Sequence, residues 1–135
     1  MNGYILDSNV VTAHRKKNPL VRQRMRQAEA AGHSVKLNAV SYYEIRRGLL
    51  FAGARVQLAA FERLWRELGI VMIDQAVLDR AADTYADLRA AGQLIEDADI
   101  LMGAVALVND LTLVTNNTAH FSRIGGLHVE DWLVP

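Results

Sequence analysis

Short apolar runs alternate with longer segments of helical periodicity along most of the chain. Four runs of three or four residues are typical of buried strands, and a fifth run is weaker. In chain order they are Gly3–Leu6, Val35–Leu37, Ile70–Ile73, Leu111–Val114 and the weaker Leu127–Glu130. Strands that alternate with helices predict an α/β fold, here a three-layer α/β/α sandwich around a central, mainly parallel sheet of four to five strands.

The segments between these runs carry apolar residues at spacings of three and four, which is the period of an amphipathic helix. Segment 54–68 ends at Gly69, a residue type that favours the end of a helix. Segment 75–91 follows Asp74, a suitable N-cap, and ends at Gly92. Further helices are predicted at 41–52 and 98–109, and one or two helices at 9–31, interrupted near Asn18 and Pro19.

Length and composition favour a single globular domain over residues 1–135, since 51% of the 135 residues are hydrophobic. No apolar run approaches the roughly 20 residues that cross a bilayer, and the N-terminus lacks a signal-peptide pattern. The chain has no cysteine, which excludes disulfides and thiolate zinc sites. We therefore expect a cytoplasmic protein without a membrane segment.

The net charge of zero hides an asymmetry between the two parts of the chain. Residues 1–55 hold ten of the fifteen Lys and Arg but only three acids, a net charge of +7, and residues 56–135 carry −7. Such an imbalance can mark a surface that binds a polyanion. Two independently solvated surfaces explain it equally well.

Several acids occupy positions where α/β folds bind ligands, beyond the carboxyl ends of parallel strands. Asp7 directly follows the first strand, but it also suits the N-cap of the next helix. Glu44 lies in the first turn of a helix, where Ser41 as N-cap and Glu44 match a capping box, but Glu44 can also project toward the strand ends. Asp97 and Asp99 point in nearly opposite directions from a helix, so we take Asp97 as the better cap and Asp99 as the better ligand.

The fourth strand ends in a polar turn at the same edge of the sheet. Thr115 and Asn117 can hold a water or a metal-bound group there, or can cap the short helix that follows. Carboxylates without histidine or cysteine suit a hard cation such as Mg²⁺ or Mn²⁺. No metal-ligand spacing connects the four histidines, His14, His33, His120 and His128.

This ordered set of acids resembles the PIN-domain family and, within it, the VapC toxins of VapBC (type II) toxin–antitoxin systems. The resemblance spans essentially the whole chain, and its most specific part is the C-terminal block. The matching segments are Leu6–Asn9 (LDSN), Glu44–Gly48 (EIRRG), Asp99–Ala104 (DILMGA), Leu113–Phe121 (LVTNNTAHF) and Gly126–Trp132 (GLHVEDW). Two positions depart from the pattern: Gly103 stands where alanine is usual, and Asn117 stands where many members have a fourth Asp.

The resemblance implies a metal-dependent endoribonuclease that cleaves RNA phosphodiesters with Mg²⁺ or Mn²⁺. In it, Asp7 and Asp99 hold the cation and Glu44 positions its water or accepts a proton from it. Asn117 completes the catalytic set without adding a charge, which favours one firmly held cation over two. The residues that would fix the carboxylates are Ser8, Asn9, Asp97 and Thr115.

The resemblance also implies partners. A cognate VapB-like antitoxin would block the site, the RNA substrate would be tRNA or ribosomal RNA, and the toxin would form a homodimer. Apolar residues Leu49–Phe51 and Phe61 can line the antitoxin groove or pack in the core. The candidate contacts to the RNA backbone are Arg15, Lys16, Lys17, Arg46 and Arg47, each of which also suits a solvated surface.

Two other functions are compatible with part of the pattern. A haloacid-dehalogenase-type phosphatase also begins with a strand that ends in Asp, but it needs a second acid where Asn9 stands, and no lysine follows Lys36. A non-catalytic PIN module that binds RNA or protein is the main alternative. It predicts RNA affinity without metal-dependent cleavage.

Overall fold

The protein was analysed as a computed structural model, which describes residues 3–135. Within this range five strands form one sheet, in the order β3-β2-β1-β4-β5, and every neighbouring pair is parallel. The strands are β1 Gly3–Leu6, β2 Ser34–Asn38, β3 Ile70–Val71, β4 Thr112–Val114 and β5 Val129–Glu130. The helices are α1 Ser8–Arg15, α2 Pro19–Ala30, α3 Ala39–Ala52, α4 Arg55–Leu68, α5 Gln75–Ala90, α6 Asp97–Val108 and α7 Thr118–Phe121.

Each face of the sheet is covered by its own hydrophobic core. Along β1, Ile5 belongs to one core and Leu6 to the other, because successive side chains of a strand point to opposite faces. The first core contains buried residues of α5, α6 and α7, and the second contains those of α1 to α4. The predicted three-layer α/β/α sandwich is thereby confirmed, with a sheet that is wholly parallel rather than mainly so.

The edge strands are shorter than the sequence predicts. The runs Ile70–Ile73 and Leu127–Glu130 each supply only two paired residues, since β3 bonds only to β2 and β5 only to β4. The region 9–31 is predicted to form one or two helices, and it forms two. Asn18 ends the connection between them, and its side chain accepts a hydrogen bond from the Val21 amide at 3.1 Å.

The strand order places the end of β1 at the centre of the sheet. The chain leaves β1 toward β2 on one side and later returns to pair β4 on the other, so the switch in strand order lies between β1 and β4. The Asp7 amide donates to the Val114 carbonyl at 2.9 Å, which joins the carboxyl ends of these two strands. Ligand sites of parallel sheets lie in this crevice.

Of the helices within residues 3–135, none combines the length and the apolar content that a membrane span needs.

Helix α6 lies close to the segment after α7 because Gly103 has no side chain. A Cβ at this position would lie 2.6 Å from Ile124 Cδ1, and Ile124 is only 3% exposed. The methyl end of Ile124 therefore fills the space that the usual alanine would occupy.

We expect Gly103→Ala to destabilise the wild-type protein and to be tolerated when Ile124 is shortened. Ile124→Val alone costs about 0.5–1.5 kcal/mol by leaving a gap. In the double variant the alanine methyl fills that gap and removes a helical glycine that costs about 1 kcal/mol. Chemical denaturation of the four proteins measures the coupling, expected at about 0.5–3 kcal/mol in favour of the pair. Additive effects would contradict this packing.

Candidate active site

Asp7 is the buried centre of the site, with 8% of its surface exposed. It follows β1 directly and is the N-cap of α1, where its Oδ1 accepts a hydrogen bond from the Ser8 amide at 2.5 Å. Its Oδ2 accepts one from the Thr115 hydroxyl at 2.6 Å. The capping role expected for Asp7 is therefore confirmed, and the same contacts fix its carboxylate at the edge of the sheet.

Glu44 does not belong to a capping box, and the prediction of Ser41 as N-cap is wrong. Helix α3 begins at Ala39, because β2 ends in Asn38, whose side chain accepts a hydrogen bond from the Val40 amide at 2.9 Å. Ser41 lies inside the helix, buried, and donates to the Leu6 carbonyl. Glu44 is thus free to face α1, where its Oε1 accepts a hydrogen bond from the Ser8 hydroxyl at 2.7 Å.

Asp99 lies half-buried in the first turn of α6, two residues after Asp97. The prediction of Asp97 as N-cap is wrong, since Glu96 occupies the cap position and gives no side-chain cap bond. Asp97 is exposed, and within residues 3–135 it forms no ion pair. The predicted role of Asp97 in fixing the carboxylates stays a prediction. Asp99 faces α7, where it contacts His120.

The turn after β4 supports Asp7 through Thr115. The Thr115 hydroxyl donates to Asp7 and accepts from the Asn117 amide at 3.0 Å, so its hydrogen-bonding direction is fixed. Asn9 joins the same turn differently: its side-chain amide donates to Asn116 Oδ1 at 3.1 Å. Asn9 therefore ties the first turn of α1 to the turn after β4, and its side chain makes no hydrogen bond to the carboxylate of Asp7.

His120 is the residue of this site that the sequence interpretation missed. Its Nδ1 lies 3.4 Å from Asp99 Oδ2 and 3.0 Å from the side-chain nitrogen of Asn117. Asn117 takes the N-cap position of α7 but makes no side-chain cap bond, so its amide is available to the ring. The available signal was the spacing of three between Asn117 and His120, which puts both on one face of a single helical turn.

Burial and neighbouring acids raise the pKa of two carboxyl groups of this site, Asp7 and Asp99. Burial raises the pKa of Asp7, the hydrogen bonds from Thr115 and Ser8 oppose this, and the charges of Asp99 and Glu44 raise it further. Burial also raises the pKa of Asp99, against the effect of His120. The three acids are thus close enough to repel, although they come from three different helices or strand ends.

The residues present fit a hydrated divalent cation. Within residues 3–135, no lysine or arginine forms an ion pair with Asp7, Glu44 or Asp99, and the one basic side chain within 4.0 Å of them is His120, beside Asp99. A bound cation would offset this uncompensated negative charge. Nor do three acids or histidines in this range already converge as a closed set of metal ligands. Mg²⁺ keeps several waters and needs only one or two carboxylates, such as those of Asp7 and Asp99.

The basic residues predicted to contact a polyanion differ in their surroundings. Arg46 forms an ion pair with Glu62, and the guanidinium of Arg47 lies 5.0 Å from the centre of the Tyr43 ring. Lys16 and Lys17 are exposed at the end of α1. Arg15 lies in the last turn of α1, beside a cleft that also reaches Ser8 and Glu44.

Two proteins of similar sequence are nucleases by name. The chain is 28% identical over 132 residues to the tRNA(fMet)-specific endonuclease VapC of Shigella flexneri, covering 96% of this chain and 97% of the relative. It is 27% identical to ribonuclease VapC1 of Methanocaldococcus jannaschii, over 94% and 86% of the two chains. In structure it superposes on VapBC2 from Rickettsia felis, solved bound to a DNA fragment from their promoter, with a TM-score of 0.87 at 21% identity over 96% and 98% of the chains.

The family comparison covers almost the whole chain. The model of the PIN domain matches residues 4–127, a range that includes Asp7, Glu44, Asp99 and Asn117. The chain therefore belongs to the PIN-domain family.

Proposed function

We propose that the protein is an endoribonuclease that uses a divalent cation, Mg²⁺ or Mn²⁺, and acts as the toxin of a toxin–antitoxin pair. The observation that carries this proposal is that Ser8 links Asp7 to Glu44 beside the end of β1, where Asp99 is close enough for its charge to act on Asp7. The names of the Shigella and Methanocaldococcus relatives support RNA as the substrate. The reaction is hydrolysis of an internal phosphodiester bond.

Asp7 and Asp99 would hold the cation, directly or through its water. When bound, it supplies a more acidic water and offsets the charge that builds up on the phosphate oxygens. Thr115 and the Ser8 amide hold the two oxygens of Asp7 in place, so the carboxylate does not have to be oriented during the reaction.

Glu44 would orient the attacking water or accept its proton. The Ser8 hydroxyl donates to Glu44 Oε1, while the Ser8 amide donates to Asp7, so one residue fixes the spacing of both acids. On the opposite side His120 contacts both Asp99 and Asn117. Asn117 adds no negative charge, which supports one firmly held cation rather than two.

A toxin of this kind needs an inhibitor, and we propose a VapB-like antitoxin that covers the site and a homodimeric toxin. The VapBC2 neighbour supports the antitoxin. The predicted groove residues divide: Phe61 is fully buried in the core, whereas Leu50 and Phe51 are 54% and 95% exposed. The exposed pair offers apolar surface to a partner helix. The name of the Shigella relative supports transfer RNA as the substrate. Ribosomal RNA is the other substrate class that we expect. We also expect the protein to act in the cytoplasm.

The proposal predicts that the purified protein cuts a pool of cellular RNA into discrete internal fragments when Mg²⁺ or Mn²⁺ is present, and that a chelator stops the reaction. Gel analysis of the pool before and after chelation is the measurement. Retention of intact RNA in a gel-shift assay, with no fragments at any cation concentration, would overturn the enzymatic proposal and favour the non-catalytic RNA-binding alternative.

A further inference from the structure

Two clefts on the helical face of α1 meet at Arg15. The first, of about 260 Å³, adjoins the candidate active site and is lined by Ser8, Glu44 and Arg15 among others. The second, of about 220 Å³, lies between α1, α2 and α4, and its polar lining includes Arg15, Arg22 and Arg63. Because Arg15 lines both, the clefts are adjacent, and together they lead away from the carboxylates.

The junction of the clefts contains polar atoms without a partner. Within the part of the chain that the structure describes, Arg15 Nε and His14 Nδ1 are both buried and lack a hydrogen bond. A buried donor left without an acceptor costs about 1–3 kcal/mol, so such atoms are usually satisfied by a ligand or water. The arginine Nε–H is a donor with no acceptor role, which indicates an acceptor such as an anionic oxygen.

The second cleft is basic and its arginines are uncompensated. Among residues 3–135, the ion pairs within 4.0 Å include none with Arg15, Arg22 or Arg63. Arg22 is held in place, since its Nε donates to the His14 carbonyl at 3.2 Å. Glu67 is the one acid in the lining. The cleft thus carries an excess of positive charge.

Two arginines near the second cleft form ion pairs, unlike the three arginines that line it. On α3 and α4, Arg46 and Arg66 both pair with Glu62 and are neutralised there. Arg63, one residue from Glu62 along the chain, is exposed and lines the second cleft instead. Arg63 therefore has no ion-pair partner within 4.0 Å, although an acid precedes it directly in the chain.

We propose that these clefts form one binding track for the backbone of a single RNA strand, in which Arg15, Arg22 and Arg63 hold phosphates adjacent to the one at the carboxylates. This inference rests on the proposed function and specifies how the substrate is held. Guanidinium groups match phosphate oxygens in a forked geometry, and Arg15 at the junction would hold the phosphate nearest to the site.

A nucleic-acid strand fits these clefts better than an acidic peptide does. The track begins at Glu44 and near Asp7, where a carboxylate ligand would be repelled, whereas a phosphodiester is accepted there together with a cation. Beyond Arg15 the lining is basic, as a repeating anion requires. Binding is therefore expected to depend on RNA length.

The test compares Arg63→Glu with Arg63→Lys, and uses Arg80→Glu on α5 as the control for the same change of charge away from the clefts. Arg63 and Arg80 are both exposed, so we expect these variants to fold. Affinity for a dinucleotide and for a longer single-stranded RNA is measured against salt concentration, in the Asp99→Asn background so that the RNA stays intact. We expect Arg63→Glu to weaken binding of the longer RNA by roughly tenfold and to leave the dinucleotide unchanged. The slope of log affinity against log salt should fall by about 0.7 for each lost phosphate contact.

Arg63→Lys retains the positive charge, so its affinity for the longer RNA should keep most of the salt dependence of the parent protein. A purely structural role of Arg63 would not make the salt dependence follow the charge. Arg15→Ala should weaken binding of both RNAs. If Arg63→Glu behaves like Arg80→Glu with the longer RNA, the track is overturned, whether or not the wild-type protein cleaves RNA. If the wild-type protein cleaves nothing but Arg63→Glu still loses affinity for the longer RNA, the proposed function fails and the track stands.

Discussion

Asp7→Asn and Asp99→Asn are each expected to reduce RNA cleavage by at least about a hundredfold while the protein stays folded. Loss of a residue that only supports a metal ligand already costs about 10–100-fold in metal affinity or activity. Asparagine keeps the shape of the side chain and removes the charge that would hold the cation. For Asp7 the substitution retains an oxygen that can accept from the Ser8 amide, so the N-cap of α1 is preserved.

The matched control is Asp97→Asn, the same change two residues from Asp99 on the same helix. Asp97 is exposed and the two side chains point apart, so we expect its cleavage rate to stay within about threefold of the wild type. Initial rates on one RNA at saturating Mg²⁺ make the comparison, and circular dichroism verifies the fold of each variant. Equal losses in Asp97→Asn and Asp99→Asn would contradict the assignment of Asp99.

The second large effect is on stability, which should depend on divalent cations and on pH. Burial and neighbouring acids raise the pKa of Asp7 and Asp99 in the folded protein. In the unfolded chain these groups ionise at their ordinary pKa, so without cation the folded state loses stability as pH rises from that value through the raised one. The Asp7→Asn variant lacks this contribution, and its free energy of unfolding relative to the wild type should increase over the same interval.

A cation that binds between the carboxylates should reverse this difference. At a Mg²⁺ concentration 100 times its dissociation constant, the wild-type protein should gain about 2.7 kcal/mol, and Asp7→Asn much less. Denaturation of both proteins, in chelator and in Mg²⁺ at several pH values, provides the measurement. A stability difference between the two proteins that does not change with pH in chelator would contradict the raised pKa of Asp7, and a wild-type protein that gains nothing from Mg²⁺ or Mn²⁺ would contradict the metal site.

Much of the fold was predictable because its signals are local. Alternating apolar runs and helical periods identify the β/α order, and Pro19 after Asn18 marks the start of α2. The lengths of β3 and β5 were not predictable, since pairing at an edge strand depends on its single neighbour. The full parallel arrangement follows from the chain's crossovers, which the sequence indicates only as helices between strands.

The site was predictable in part, and its errors have a physical origin. Motif positions and the ends of strands were sufficient to name Asp7, Glu44 and Asp99. The capping box failed because Asn38, at the end of β2, is the N-cap of α3 and lies three residues before Ser41. His120 escaped notice because its partners come from α6 and from the turn after β4, and a search for metal spacing along the chain does not detect a contact made by folding.

The most direct test of the metal-dependent nuclease is the single-turnover rate of RNA cleavage, measured against free Mg²⁺ and, separately, Mn²⁺, for the wild type and Asp7→Asn. We predict a wild-type rate that rises with cation and saturates, that vanishes with chelator and returns when cation is restored, and a rate at least about a hundredfold lower for Asp7→Asn throughout. Cleavage that persists at full rate in chelator, or an Asp7→Asn variant as fast as the wild type, would contradict the account.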